Sequence, residues 1–273
     1  MEMETGIGRP RPRGVTDCIS GLPDDLLHDI LLRLRCTKAA ARTGVLSRRW
    51  RSVWTRLPDF YLWSRQPVLS TSRVAIVEGA LAACSAPTLR RLAIRVDNVN
   101  LPWEGVTAAH VAPWLRFASD RVAGELFLWL PDEALAGGRK EQDLDLPVFP
   151  AMRTIQIRLR RSFRLRPPPV AGGAFAALTC LGIYNGEMDG RELGSLVSSS
   201  QCPCLEELSL TVTLAAASEV AICSDSLKRL RFHVEKTRRL VVASPMLLEM
   251  HVSKAFEAGF WDSKSKTFRC PPK

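Results

Sequence analysis

The hexapeptide LEELSL, residues 205–210, is the most informative short stretch of this 273-residue sequence. Its first, fourth and sixth residues are leucines, and the residues between them are polar. Alternate side chains of a β-strand point to the same face of a sheet. The fourth and sixth side chains of this segment would therefore share one apolar face, and the pattern predicts a short strand that is buried on one side.

The same arrangement of apolar residues returns along most of the chain. It is found in LRRLAI (89–94), MRTIQI (152–157), LTCLGI (178–183), LKRLRF (227–232) and LLEMHV (247–252), and more loosely in AGELFL (123–128). In chain order, and with LEELSL included, the fourth residues lie 34, 29, 26, 27, 22 and 20 positions apart. Leucine-rich repeats return every ~20 to 29 residues with this spacing at the strand. The sequence therefore predicts an α/β region built from leucine-rich repeats.

The segments between these strands indicate how regular the repeats are. Helical patterns occupy SRVAIVEGALAAC (72–84), TAAHVAPWLRFA (107–118) and GRELGSLVSS (190–199). The last spacings are too short for a full helix, and RRLVVASP (238–245) is interpreted there as a second short strand. The asparagine or cysteine usual at the ninth position of a repeat is absent, so an irregular solenoid is expected. A compact α/β domain with similar strands is the alternative, which seven near-matches disfavour.

The front of the chain has apolar residues at helical spacing. In DCISGLPDDLLHDILLRL (17–34), Pro23 suits the first turn of a helix, and the helix dipole favours the two aspartates that follow it. Large apolar residues then recur at helical spacing and form one wide stripe. They are Leu22, Leu26, Leu27, Ile30, Leu31 and Leu34.

Two further short helices are predicted behind this stripe. Thr37 can cap KAAAR, and Ser47 can cap RRWRSVW, which places Trp50 and Trp54 on one helix face. A unit of about 47 residues, 17–63, has too little interior to hide all of its large apolar side chains. The apolar side chains that this unit cannot bury predict either that it binds a partner protein or that it packs on the first repeat and caps the solenoid.

These residues also carry a resemblance to a known family. LPDDLLHDILLRL followed by AARTGVLSRRWRSVW resembles an F-box of the plant type that precedes leucine-rich repeats. The resemblance implies docking on a Skp-family adaptor, which joins cullin and RING proteins into an SCF-type ubiquitin ligase. It further implies that the repeats hold a protein substrate, whose identity the sequence does not give. The chain would then be a non-catalytic receptor subunit and not an enzyme.

The resemblance also implies residue roles. The adaptor would be faced by Leu22, Pro23, Leu26, Leu27, Ile30 and Leu31. The F-box core and part of the same interface would be built by Val45, Leu46, Trp50 and Trp54. Relatives often have proline where this chain has Arg35-Cys36 and serine where it has Gly44. Gly44 would loosen the turn before the third helix, so docking is expected to be weakened but not abolished.

The expected organisation has four parts: a flexible tail (1–16), the F-box (17–63), a linker with a helix (64–88) and the repeat region (89–273). Many members of the family continue into further repeats and a C-terminal FBD-type domain. No trace of that domain is found before the closing FRCPPK, so a shortened repeat region is expected.

An arginine-rich stretch, RTIQIRLRRSFRLRPPP (153–169), is the most unusual local feature. Read as one strand, it would present a basic face made of Arg158, Arg160, Arg164 and Arg166. Such a face could bind an acidic or phosphorylated substrate, although a plain solvated surface is the simpler interpretation. No aromatic residue lies on this face to stack bases, which counts against single-stranded nucleic acid.

Other chemistry has little support in the sequence. We find no phosphate-binding glycine loop, no G-x-S-x-G elbow, and only a C-x-C pair, Cys202 and Cys204, that is poorly spaced for zinc. No cofactor and no metal are therefore expected. Neither a signal peptide nor a membrane-spanning apolar run is present, so the eight cysteines predict reduced thiols in the cytoplasm and/or nucleus.

Two alternatives to a ligase receptor remain open. One is an interaction or scaffold protein that binds the adaptor without productive ubiquitination. The other, which is less favoured, is a basic nucleic-acid-binding protein, suggested by the net charge of +10.

Overall fold

The structure is a computed structural model of the chain. It describes residues 21–63, 73–96, 106–130, 141–169 and 173–253, together with the backbone of residues 260–262 and 267–269. The tail predicted at 1–16 and the first part of the predicted linker, 64–72, lie outside the described residues.

Helices form the front of the chain and alternate with strands behind it. The α-helices are α1 (Asp24–Arg33), α2 (Thr37–Arg42), α3 (Trp50–Val53), α4 (Arg73–Ala83), α5 (Ala108–Arg121) and α6 (Gly190–Leu196), and single 3-10 turns lie at Thr43–Val45 and Trp54–Arg56. The last three helices confirm the helical segments predicted between the strands. Within the described ranges, no helix combines the length and the apolar content needed to cross a membrane.

The strands form one twelve-stranded sheet that is mainly parallel. They are β1 (Asp59–Leu62), β2 (Leu89–Arg95), β3 (Val122–Trp129), β4 (Gln142–Asp145), β5 (Thr154–Arg158), β6 (Phe163–Arg166), β7 (Cys180–Met188), β8 (Glu207–Cys223), β9 (Arg229–Ala243), β10 (Glu249–Val252), β11 (Phe260–Asp262) and β12 (Thr267–Arg269). The main order is β1-β2-β3-β5-β7-β8-β9-β12-β11, with β10 also paired to β9 and β6 bridging β4 and β7. Only the pairings made by β12 are antiparallel.

The register of the parallel strands follows the repeated hexapeptide. The fourth residues of all seven segments pair directly across the sheet, and Phe60 of β1 extends the same row. Every member of this row except Met250 is buried. The row consists of Phe60, Leu92, Leu126, Ile155, Leu181, Leu208, Leu230 and Met250. Each buried side chain of this size contributes roughly 1.5–3 kcal/mol, so the row is a main source of the sheet's stability.

Strand β1 was not expected and joins the helical front to the sheet. Its residues pair in parallel with β2, and the Thr37 hydroxyl accepts a hydrogen bond of 2.9 Å from the backbone N–H of Tyr61. Arg90 of β2 donates to both carboxylate oxygens of Asp59, at 2.9 and 2.7 Å. The buried side chains of the helices and the sheet consequently belong to one continuous core.

The late repeats differ from their prediction. RRLVVASP is not a separate strand, because its first part belongs to β9, which extends over 15 residues to Ala243 and pairs with the 17-residue β8 across a register shift. Apolar residues continue at alternate positions in both strands, for example Val212 and Leu214 in β8 and Leu240 and Val242 in β9. Alternation of this kind stabilises an extended strand where the spacing leaves no room for a helix.

The predicted helix caps were also wrong. Thr37 is already the first residue of α2, and its hydroxyl is used by Tyr61 and not by a helix N–H. Helix α3 begins only at Trp50, behind Arg49, and has no side-chain cap. Tertiary contacts to β1 therefore replace local capping in fixing this part of the chain.

Candidate docking surfaces

Helix α1 has two apolar faces, and only one is buried in the described structure. Leu27 and Leu31 are buried in the core, four residues apart on one side of the helix. Leu26, Ile30 and Leu34 lie on the neighbouring side and are 48%, 41% and 44% exposed. An amphipathic helix that only packed on its own domain would instead turn charged residues to the solvent.

The turn between α2 and α3 adds more exposed apolar surface. Val45 is 85% exposed and Leu46 is 63% exposed. Arg49, just before α3, donates from Nε to Asp24 Oδ1 at 2.8 Å, which ties this part of the chain to the first turn of α1. The ion pair also lowers the pKa of Asp24 below its usual value, mainly through the hydrogen bond from Arg49. We call the five exposed side chains Leu26, Ile30, Leu34, Val45 and Leu46 the front patch.

The sheet presents a second candidate surface on the face opposite the core, here called the outer face. Three rows of paired residues cross it. The ion-pair row contains Asp59, Arg91, Glu125, Thr154, Cys180, Glu207, Arg229 and Glu249. The middle row contains Tyr61, Ala93, Phe127, Gln156, Gly182, Ser209, Arg231 and His251. The arginine–aromatic row contains Arg95, Trp129, Arg158, Tyr184, Thr211 and His233.

Charges are distributed unequally among these rows. In the ion-pair row, Arg91 bonds Glu125 at 2.6 Å and Arg229 bonds Glu207, so both arginines are compensated within the row. The other two rows contain arginines and histidines but no aspartate or glutamate. The middle row and the arginine–aromatic row are therefore cationic, whereas the next pair on this face of β8 and β9, Thr213 and Glu235, carries an acidic side chain.

Trp129 lies in the arginine–aromatic row between two arginines. It is 41% exposed, and the guanidinium carbons of Arg95 and Arg158 lie over its ring at 5.0 and 4.7 Å from the centroid. The two arginines come from the strands on either side of Trp129. Beside it, Tyr61, Trp63 and Phe127 help to line a cleft of about 660 Å³.

Comparison with known proteins shows which family the chain belongs to. Residues 111–267 match the family model described as FBD-associated F-box protein At5g56370, LRR repeats, and residues 19–61 match the F-box domain model. The chain belongs to this F-box and leucine-rich-repeat family. No solved structure matches it.

Individual plant relatives agree with the family match. The chain is 29% identical over 264 residues to the putative F-box/FBD/LRR-repeat protein At2g05300 of Arabidopsis thaliana, covering 92% of this chain and 56% of the relative. It is 25% identical over 229 residues to the F-box/LRR-repeat protein At2g42730 of the same plant, covering 81% and 48%. The chain thus spans about half the length of these relatives.

The structure divides the F-box residues that were predicted to face an adaptor. Leu26 and Ile30 are exposed and Pro23 lies at the surface, whereas Leu22 is half-buried against the core. Leu27 and Leu31 are enclosed by the core, so we reassign both from the predicted interface to the interior. Leu34 belongs to the exposed set although it was not among the predicted contacts.

The second predicted F-box group also divides. Val45 and Leu46 are exposed, while Trp50 is buried. Trp54 is half-buried, and its ring centroid lies 6.3 Å from that of Phe60. Trp54 therefore attaches the helices to β1, Trp50 belongs to the core, and the exposed pair remains available to a partner.

The arginine-rich stretch does not form one basic strand. Strand β5 ends at Arg158, β6 begins only at Phe163, and the turn between them buries Arg160, which donates to the Val106 carbonyl at 3.2 Å. On β6, Arg164 is half-buried and Arg166 pairs with Asp143 at 2.6 Å. The prediction of a shared face for these four arginines was wrong, because a turn interrupts the alternation.

The expectation that no aromatic residue accompanies the arginines was also wrong. Trp129 lies beside Arg158, but on the neighbouring strand, 29 residues earlier in the chain. Aligning the hexapeptides would have revealed this pairing, since Arg95, Trp129, Arg158 and Tyr184 each follow directly after a sixth position. The signal was present in the sequence but only in comparison between repeats.

The C-x-C pair consists of two thiols in different environments. Cys202 is buried and donates to the Leu196 carbonyl at 3.2 Å, and burial raises the pKa of its thiol to about 12. Cys204 is exposed. Across the part of the chain that the structure describes, no three His, Cys, Asp or Glu side chains gather in a way that could hold a metal ion.

Proposed function

We propose that this chain is a non-catalytic substrate receptor of an SCF-type ubiquitin ligase. Its F-box helices would bind a Skp-family adaptor through the front patch, and its repeats, stacked as an irregular solenoid, would hold a protein substrate. The adaptor would connect the chain to cullin and RING proteins. The observation that carries this proposal is the second apolar face of α1, which no described part of the chain covers.

The energetics of the front patch support docking. Leu26, Ile30 and Leu34 are each a little less than half exposed, so their complete burial would contribute roughly 1 kcal/mol apiece. Val45 and Leu46 are more exposed and would contribute more. Large apolar side chains exposed along one helix face and in the turn behind it are typical of an interaction site. A groove that accepts an amphipathic helix is the matching partner surface.

The proposed role requires no catalytic residue in this chain. A receptor that holds a substrate close to a ubiquitin-carrying enzyme raises the effective concentration of the substrate's lysines at that enzyme. The continuous core between helices and sheet supports this role, because it links the adaptor-binding end to the substrate-binding surface. Reduced thiols suit the cytoplasm or nucleus, which is the location that we propose.

Recovery of the adaptor on the immobilised chain tests the proposal. We expect the full chain to retain a Skp-family adaptor and Ile30→Asp to lose most of it, because a buried carboxylate without a partner is strongly unfavourable. Arg229→Gln, far from α1 in the sheet, changes the net charge by the same amount and should retain the adaptor. Equal recovery by all three forms, or by none, would remove the adaptor assignment.

Productive ubiquitination needs a separate measurement, since an interaction protein could bind the adaptor and stop there. We expect the half-life of proteins captured by the repeats to lengthen when the chain is depleted and to be restored by the wild type. Restoration should fail with Ile30→Asp. Unchanged half-lives, with adaptor binding intact, would favour the scaffold alternative.

A further inference from the structure

We propose that the outer face of the sheet binds an acidic, extended peptide segment, with one carboxylate at Arg158 beside Trp129 and a second at Arg231. This inference names the substrate class for the receptor and therefore rests on the proposed function. It uses a surface separate from the front patch, which permits each to be tested alone.

The first element of the site is the stacked arginine. The Arg158 guanidinium lies 4.7 Å from the centroid of the Trp129 ring and makes no ion pair with a carboxylate of the described residues. Stacking on an aromatic ring orients the guanidinium plane while leaving its N–H groups available for a planar, bidentate acceptor. A carboxylate has this geometry, so Arg158 is prepared for one before any ligand arrives.

The second element lies on β9. Arg231 is exposed, is not ion-paired within the described part of the chain, and lines a cleft of about 310 Å³ with Tyr184, His233 and His251. Serine and threonine residues and two apolar residues complete the lining, which contains no acidic residue. The cleft therefore offers several hydrogen-bond donors and no repelling charge to an anion.

The strand spacing relates the two arginines. Arg158 on β5 and Arg231 on β9 are separated by the intervening β7 and β8, so three steps of about 4.8 Å place them roughly 14 Å apart across the sheet. Arg231 also lies two residues out of register with Arg158, which adds about 7 Å along the strands and makes the separation roughly 16 Å. Since an extended peptide advances about 3.4 Å per residue, two acidic residues about five positions apart in the ligand would match this separation.

Side-chain composition favours a peptide over nucleic acid. Trp, Tyr and Arg dominate the hot spots of protein interfaces, and Tyr61, Trp63 and Trp129 lie together with Arg95 on this face. Arg95 and Arg158 already lie over the Trp129 ring, so a base that stacked there would have to displace a guanidinium. A polyphosphate backbone is therefore the alternative outcome of the test and not the expected ligand.

A defined peptide series tests the inference on the full chain. The probes are fluorescent Gly/Ser peptides of about ten residues with two glutamates at different separations, matching peptides with two lysines, and single-stranded oligothymidine. We expect the glutamate peptides to bind best at a separation of about five residues. Lysine peptides should not bind, and binding should weaken as salt increases.

Variants assign the binding to particular side chains. Arg158→Gln, Arg231→Gln and Trp129→Ala should each weaken the best glutamate peptide by about tenfold or more. Arg229→Gln is the matched control, because it removes the same charge two residues from Arg231 but from the ion-pair row, and it should bind normally. Arg158→Lys keeps the charge without the planar group and should recover only part of the affinity.

The outcomes separate this inference from the proposed function. Each variant should still capture the adaptor, which shows that it is folded, and Ile30→Asp should lose the adaptor but keep the peptide. Three results would overturn the acidic-peptide assignment. They are glutamate peptides that bind no better than lysine peptides, a loss of peptide affinity in Arg229→Gln as large as in Arg231→Gln, and oligothymidine that binds more tightly than the glutamate peptides. If the wild-type chain does not capture the adaptor but binds the glutamate peptides, only the receptor function is overturned.

Discussion

Ile30 and Leu31 are neighbours in sequence but occupy opposite environments. Leu31 is enclosed by the core, whereas Ile30 belongs to the front patch. The same contrast separates Leu27 from Leu26, one helical turn earlier. Side chains that are alike in chemistry therefore have different roles, and substitutions should distinguish stability from binding.

Paired alanine substitutions test this division. Leu31→Ala should lower the free energy of unfolding by about 2–5 kcal/mol, because it leaves a cavity in the core. Ile30→Ala should change the free energy of unfolding by only about 0.5 kcal/mol, as at most surface positions. Urea titration of both variants gives the comparison. Similar losses from the two would contradict the assignment of the two helix faces.

Thiol reactivity provides a second test at the residue scale. Burial raises the pKa of Cys202 to about 12, so its reactive thiolate is scarce at pH 8, while Cys204 is exposed. We expect iodoacetamide to modify Cys204 in the folded chain and Cys202 only in urea, as read by peptide mass spectrometry. Rapid modification of Cys202 in the folded state would contradict its burial.

The raised pKa of Cys202 also has a consequence for stability. Between the ordinary pKa of 9.0 and about 12, the unfolded chain loses this proton while the folded chain retains it. Ionisation therefore favours the unfolded state in that interval, and the contribution of Cys202 to stability falls as pH rises through it. Below pH 9 the contribution is fully present.

At the scale of elements, the repeated hexapeptide predicted the sheet well. The fourth residues pair in register from β2 to β10, because a one-residue slip would turn every apolar side chain to the solvent. Local pattern did not predict β1, since the four residues of DFYL become a strand only through pairing with β2. The break between β5 and β6 was missed because alternation continues in the sequence across a turn.

Helix α6 illustrates a local signal that can be measured. Asp189 caps it by accepting hydrogen bonds from the N–H groups of Arg191 and Glu192, at 2.8 and 3.2 Å. Asp189→Ala should lower the free energy of unfolding by about 1 kcal/mol, and Asp189→Asn should have a smaller effect because asparagine also caps well. Thermal unfolding followed by circular dichroism compares them. Equal losses would show that the cap is unimportant here.

The candidate sites were less predictable than the sheet. The apolar stripe of α1 was apparent from helical spacing, but which of its two apolar faces is buried depended on where α3 packs. Trp129 and Arg158 come together only because two repeats align in the sheet. Sites of this kind are formed by pairing between distant segments, which a single run of sequence does not contain.

At the scale of the whole molecule, helices and sheet share one continuous core, and Phe60 of β1 is buried at their junction. We expect both parts to unfold together. Phe60→Ala should lower stability by about 3–5 kcal/mol and shift the transitions of both parts equally. During urea unfolding, labelling of Cys202 follows the repeat region, and circular dichroism follows the secondary structure of the whole chain. Two separate transitions would show that the helical front folds independently.

The affinity of the full chain for a purified Skp-family adaptor, measured by calorimetric titration, shows whether the front patch is a binding surface. We expect Leu26→Asp to raise the dissociation constant by about tenfold or more, while the unfolding midpoint stays close to that of the wild type. Unchanged affinity in a folded Leu26→Asp protein would contradict this assignment of the front patch.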